Sequence, residues 1–282
     1  MKLSRRSFFT AAGLSAAALG SGSLTNSPSL AKEPSESGKI LFDLGIASYS
    51  FRKFSPEKVI EWTKRAGLKY VSLKDFHLPL TASDAECADL AQKFEKEGLK
   101  IYSCGVVYMK NEEEVENAFR YAKALGCSSI IGVPEHKYLS LVEKKVKETD
   151  IRIAIHNHGP GDKRYPTAAS VWEKVRSMDP RVGIALDIGH SVRIGEDPIN
   201  AIHQYKDRIF DFHFKDVSSA DKAGRCTAMC GTGVIDFPAI IKALVEIGYN
   251  RVAPIEYETL ENDPLPGVMQ YVGFIRGMCR MF

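Results

Sequence analysis

Several features are missing from this 282-residue chain, and each absence removes a class of function. No block of Lys or Arg interrupts a nearly even mixture of 38 basic and 35 acidic residues. The formal charge is +3, part of it in the first few residues. A groove for nucleic acid is therefore not expected. Beyond residue 31 no apolar run is long enough to cross a bilayer, so a stable membrane span is not expected either. No glycine-rich fingerprint follows the first strand-like segment, which argues against a nucleotide cofactor. The six cysteines are scattered. Only Cys226 and Cys230 lie close together. Two sulfurs without neighbouring ligands read as thiols or a loop disulfide rather than as a metal clip.

The N-terminus carries Ser4-Arg5-Arg6-Ser7-Phe8-Phe9, then a weakly apolar stretch and a small-residue cleavage site at Ser29-Leu30-Ala31. Residues 1–31 read as a twin-arginine export signal, which implies a periplasmic protein. Residues 32–40 are rich in Pro, Ser, Glu and Lys and read as a loose leader. Residues 41–282 have the usual size of one large α/β domain.

Within that domain, strand-like and helix-like segments alternate. Strands are expected at FDLGIASYSF, LKYVSLKD, LKIYSCGVVY, CSSIIGVP, IRIAIHNHG, VGIALDIGH, IFDFHFKD and RVAPIEYE. The intervening helices carry start signals: Ser55 before Pro56, Ser83 with Glu86 in the capping-box position, Asn111, Asp197 and Asp236. Helices are also expected from Thr167 to Met178 and from Leu265 to Cys279. Several strands are almost continuously apolar, as a parallel sheet covered on both faces requires. Eight strand–helix repeats favour a (β/α)8 TIM barrel over an open sheet, whose ligand sits mainly at one switch point.

Four consecutive strands end in metal-binding residue types: His156, Asp187, His213 and Glu256. Their spacing is too long for one local loop and fits parallel strands whose ends converge on one barrel face. Two imidazoles and two carboxylates form a borderline donor set, better suited to one divalent Mn, Zn, Co, Fe or Mg ion than to Ca. Lys215 follows His213 with the same strand facing, and His190 lies three residues after Asp187. Glu135 and Lys74 end strands four and two. These positions make Lys215, His190, Glu135 and Glu256 the candidate catalytic groups. His158, Tyr49, Phe51, Lys74 and Arg225 are the candidate substrate contacts, with Tyr49 and Phe51 placed to stack on a sugar ring.

The sequence His156-Asn157-His158-Gly159, the LDIGH run ending at His190, His213-Phe214-Lys215-Asp216, the segment Gly231 to Phe237, and Ile255 to Glu258 together resemble the xylose isomerase-like TIM-barrel superfamily. This is the sugar phosphate isomerase/epimerase group, which also includes endonuclease IV-type enzymes. The resemblance covers about Phe42 to Cys279. It implies a carbohydrate substrate and one divalent ion held by His156, Asp187, His213 and Glu256. It further implies proton removal next to a carbonyl through a metal-stabilised enediolate, giving isomerisation or epimerisation. One position departs from the pattern. The family's epimerases commonly place a Glu on strand five, where this chain has His156, so paired-glutamate chemistry is not carried over. β-Elimination from a 3-keto-glycoside in the same site is the alternative reaction. A non-enzymatic carbohydrate-binding barrel is the third reading. Endonuclease chemistry is disfavoured because strand three offers no His. A homo-oligomer is left open.

Overall fold

The computed structural model describes residues 40–222, 225, 226 and 228–282. The expected export signal and nearly all of the leader lie outside them. Eight strands are present: β1 (Asp43–Ala47), β2 (Tyr70–Leu73), β3 (Lys100–Met109), β4 (Ser129–Pro134), β5 (Arg152–His156), β6 (Val182–Asp187), β7 (Ile209–His213) and β8 (Val252–Ile255). The order is β7-β6-β5-β4-β3-β2-β1-β8, and every pairing is parallel. The two ends meet. Phe214 N donates to Pro254 O at 2.9 Å, and Glu256 N donates to Phe214 O at 3.0 Å. These bonds close the sheet into the expected (β/α)8 barrel just beyond the last residues of β7 and β8.

The helices are α1 (Pro56–Arg65), α2 (Asp84–Lys96), α3 (Glu112–Ala124), α4 (Leu139–Thr149), α5 (Ala168–Val175), α6 (Ile188–Arg193), α7 (Pro198–Tyr205), α8 (Phe237–Glu246) and α9 (Leu265–Cys279). Ser83 and Glu86 form the capping box, and Asn111, Asp197 and Asp236 accept backbone hydrogen bonds at their helix starts. Ser55 stands at the N-cap of α1 but its side chain accepts no capping bond. Among the described residues, no helix is long and apolar enough to cross a membrane.

Period-two facing aims the strands at the site. Ile131, Ala154, Ala185 and Phe210 form a small apolar cluster separate from the main core. It fills the barrel interior, while the large cluster containing Ile153, Ile155, Ile184 and Leu186 packs between sheet and helices. Two residues beyond Ala154 and Ala185 the same facing brings His156 and Asp187 to the barrel mouth.

Two strand-end expectations are corrected. β1 stops at Ala47, and Ser48–Phe51 forms one turn of 3-10 helix. That turn swings Phe51 out of line with the strand and into the core, fully buried against Trp62 at 5.5 Å. Phe51 therefore has no route to a substrate. β6 likewise stops at Asp187 instead of running on to His190, because Ile188–Arg193 forms the six-residue helix α6, too short to be legible in the sequence. Replacing Phe51 with Ala should lower the free energy of unfolding by ~3–5 kcal/mol, as for other buried aromatics, read as a shift in the urea midpoint.

Candidate active site and metal centre

The four expected donors come together. His156 Nε2 lies 3.3 Å from His213 Nδ1 and 3.6 Å from Asp187 Oδ2. His213 Nδ1 lies 3.5 Å from Asp187 Oδ2 and 3.4 Å from Glu256 Oε2. A tetrahedron with bonds of about 2.1 Å has edges of about 3.4 Å, so these separations are those of ligands around one ion. All four residues are buried. Asp187 Oδ2, which faces both imidazoles, accepts no hydrogen bond of its own, although Lys215 Nζ is 3.0 Å away. The donor types, their spacing and this orphaned oxygen fit a divalent cation.

Asp187 divides its carboxylate between two tasks. Oδ1 accepts from His190 N at 2.9 Å and caps α6, while Oδ2 faces the centre. Asn157 fixes the Asp187 backbone, accepting from Asp187 N at 2.9 Å and donating to Asp187 O at 3.2 Å. Gly159 has φ +70°, and a Cβ there would stand 2.7 Å from His190 O, so the chain can turn past α6 only as glycine.

Lys215 is fully buried beside the centre. Its Nζ lies 2.5 Å from both Glu256 Oε2 and Glu258 Oε1. Burial opposes its charge, but Asp187, Glu256 and Glu258 outweigh that cost and push its pKa well above the usual lysine range. Burial also opposes charge on His213, yet Glu256 and Asp187 lift its pKa to about 10. In the opposite sense, burial and the neighbouring His158 keep His156 neutral, and burial pulls His190 down to about 3. Asp187 and Glu256 are held below the usual carboxylate range against burial, the Lys215 ammonium lying 3.0 Å from the first and 2.5 Å from the second, with His213 adding to the effect on Glu256. The floor of the mouth is therefore a place where positive charge is stabilised.

Above it opens a cavity of about 410 Å³ lined by Tyr49, Lys74, Phe76, Tyr108, His156, His158, His190, Lys215, Glu256 and Glu258, among others. Tyr108 OH and His158 Nε2 are 3.2 Å apart. Three expected contacts do not line it. Phe51 is in the core. Glu135 is held by Arg164 Nη1 at 2.6 Å, outside the cavity. Arg225 is exposed, its backbone tied to Ser218 by bonds of 3.0 and 3.1 Å. The long β7–α8 loop is instead anchored by Asp216, which accepts from Gly231 N and Gly233 N at 2.9 Å each. Cys226 and Cys230 are unpaired thiols.

Sequence reasoning missed Asp211, Glu258, Phe76 and Tyr108. Asp211 is fully buried under the centre. Tyr102 OH donates to its Oδ2 at 2.7 Å, and its Oδ1 lies 3.6 Å from His213 Nε2, with neither of the latter atoms otherwise hydrogen-bonded. A carboxylate there favours the tautomer that presents Nδ1 of His213 to an ion. Its signal was the pattern Asp211-Phe212-His213. Glu258 was visible as the second Glu of Ile255 to Glu258.

A profile of the xylose isomerase-like TIM barrel family matches residues 60–277. The chain belongs to that family. Its relatives within and around the family include an inosose dehydratase of Lacticaseibacillus casei, 35% identical over 130 residues, a match covering 40% of this chain and 43% of that protein. The chain thus spans less than half the length of that relative. A Clostridium tetani (strain Massachusetts / E88) inosose dehydratase is 26% identical over 236 residues, covering 77% of this chain and 70% of the other. Among solved folds, an IOLI protein structure with a bound zinc atom superposes with a TM-score of 0.71 at 18% identity, covering 86% of this chain and 99% of that one. Membership of the xylose isomerase-like family accounts for the barrel. The Asp211 contact is open to a direct check. Asp211→Asn should weaken zinc binding by ~10–100-fold, measured by competition with a chromophoric chelator, with little change in the thermal unfolding of the metal-free protein.

Proposed function

We propose that this chain is a divalent-metal-dependent lyase of the dehydratase type. It removes the proton next to the carbonyl of a neutral keto-sugar or keto-polyol and expels the oxygen substituent on the adjacent carbon. The observation that carries this reading is the pairing of Glu256 with Lys215 at 2.5 Å, beside four converging metal-type donors on the cavity floor.

His156, Asp187, His213 and Glu256 would hold the ion, and an ion bound there would polarise the substrate carbonyl and raise the acidity of the neighbouring C–H. Glu256 has two carboxylate oxygens, so it can serve as ligand and as base. It takes the proton, a carbon–carbon double bond forms as the carbon–oxygen bond on the next carbon breaks, and the Lys215 ammonium protonates the departing oxygen. Glu258 holds that ammonium in place, and His190 and His158 bind substrate hydroxyls above it. Glu135, being ion-paired outside the cavity, is given no part.

Elimination needs a base and an acid close together, as Glu256 and Lys215 are. Epimerisation needs a second proton carrier on the opposite face, where β5 supplies the neutral His156 instead of a carboxylate. Relatives named inosose dehydratase support the same choice. A neutral substrate follows from charge. Lys74 is engaged by Asp75 at 2.7 Å and by Val106 O, Lys215 by three carboxylates, and no arginine is among the described cavity-lining residues. Among the described lining residues no lysine or arginine is left unpaired to neutralise a phosphate. Tyr49, Phe76 and Tyr108 offer ring faces for stacking. Export through the twin-arginine signal would place the enzyme among glycosides and free polyols rather than sugar phosphates.

Neutral keto-polyols and 3-keto-glycosides should yield a conjugated, ultraviolet-absorbing enone product. Lys215→Met should lower kcat by ~10²–10⁴-fold, the usual worth of a positioned acid. Full turnover after complete chelation would instead make the barrel a metal-independent enzyme, and binding of these sugars without any turnover would make it a simple carbohydrate binder.

A further inference from the structure

A second group of donors stands beside the first at the cavity wall. His190 comes from α6, Cys226 from the β7–α8 loop and Glu258 from the segment after β8. One donor atom from each lies within 4.8 Å of the others. Cys226 Sγ is 4.0 Å from His190 Nδ1. Two of the three donors already face a cation. Arg193 Nη1 lies 3.3 Å from His190 Nδ1 and 3.6 Å from Cys226 Sγ. The Nε of that guanidinium is buried without a hydrogen-bond partner, so its contacts to these two donors are made through Nη1.

We propose that His190, Cys226 and Glu258 form a second divalent-cation site, separate from the four-donor centre and selective for a thiophilic ion such as zinc. The proposal does not rest on the reaction assigned above; with an ion bound here, His190 and Glu258 would serve as its ligands in place of their contacts to substrate and to the Lys215 ammonium. Imidazole, thiolate and carboxylate give three protein ligands and one open position, the pattern of zinc sites that exchange their fourth ligand. The open position faces the cavity, because His190 and Glu258 both line it. Nitrogen and sulfur ligands around zinc stand about 3.5 Å apart, so the 4.0 Å between Cys226 Sγ and His190 Nδ1 would close by about 0.5 Å, and Glu258, within 4.8 Å of both, would close in by a side-chain adjustment. The sulfur separates the two sites chemically. The first offers nitrogen and oxygen alone, and the second adds a soft donor.

Charge balance permits the exchange. One divalent ion enters, the thiol proton leaves, and the Arg193 guanidinium withdraws towards solvent. Two positive charges replace two, and the net charge of the cavity is unchanged. Lys215 remains on Asp187 and Glu256.

The test uses the full chain, stripped of metal and titrated with Co²⁺. Two equivalents should bind, counted by elemental analysis, and a sulfur-to-cobalt charge-transfer band should rise in the near ultraviolet with only one of them. Cys226→Ser should lose the band and one equivalent while keeping the other. Glu258→Gln should also lose one equivalent, which covers the case in which the serine variant does not fold. Cys230→Ser should keep both equivalents and the band. Binding of a single equivalent without the band, or a band that survives Cys226→Ser, would overturn the proposal.

Discussion

Asp187 and Glu256 are buried at the mouth of the barrel, and the surroundings are arranged around the need to neutralise them. An unpaired carboxylate in such a place costs several kcal/mol. Lys215 supplies one positive charge at 3.0 Å from Asp187 and 2.5 Å from Glu256. His213 is drawn towards its charged form by the same pair. Lys215 and His213 are both held towards their charged forms beside this pair, and the four donors have tetrahedral spacing.

The motifs divide the labour of holding that site rigid. Asn157 binds both backbone groups of Asp187, so the loop after β5 sets the position of a donor on β6. Asp187 caps α6 with one oxygen and faces the centre with the other, which makes a helix-start role and a ligand role compatible. Asp216 gathers the amides of the β7–α8 loop. A Cβ on Gly233 would fall 2.2 Å from Asp216 Oδ1, so the segment from Gly231 to Phe237 is written by backbone packing as much as by catalysis. Asp211 and Tyr102 support His213 from below.

The barrel and the four donors were legible because both rest on strong local rules. Apolar strand cores alternate with capped helices, and strand ends converge. What failed were inferences that extended those rules past the end of an element. Tyr49 and Phe51 share a facing only while β1 remains a strand. The 3-10 turn breaks that period, keeping Tyr49 at the cavity and sending Phe51 to the core. Glu135 has a suitable address at the end of β4, but its fate depends on Arg164, a partner in a different loop. Arg225 lies in a loop whose path is set by Ser218 and Asp216. Asp211 was overlooked for the opposite reason: it stands two residues before His213 on β7, where facing alone placed it in the site, whereas Glu258 lies beyond the end of β8.

Diffraction from crystals soaked in zinc, recorded on both sides of the zinc absorption edge, tests the central claim most directly. The account predicts an anomalous peak within bonding distance, about 2.0–2.2 Å, of His156 Nε2, Asp187 Oδ2, His213 Nδ1 and a Glu256 oxygen. Density for those four side chains with no ion among them, or with zinc bound only elsewhere, would contradict it.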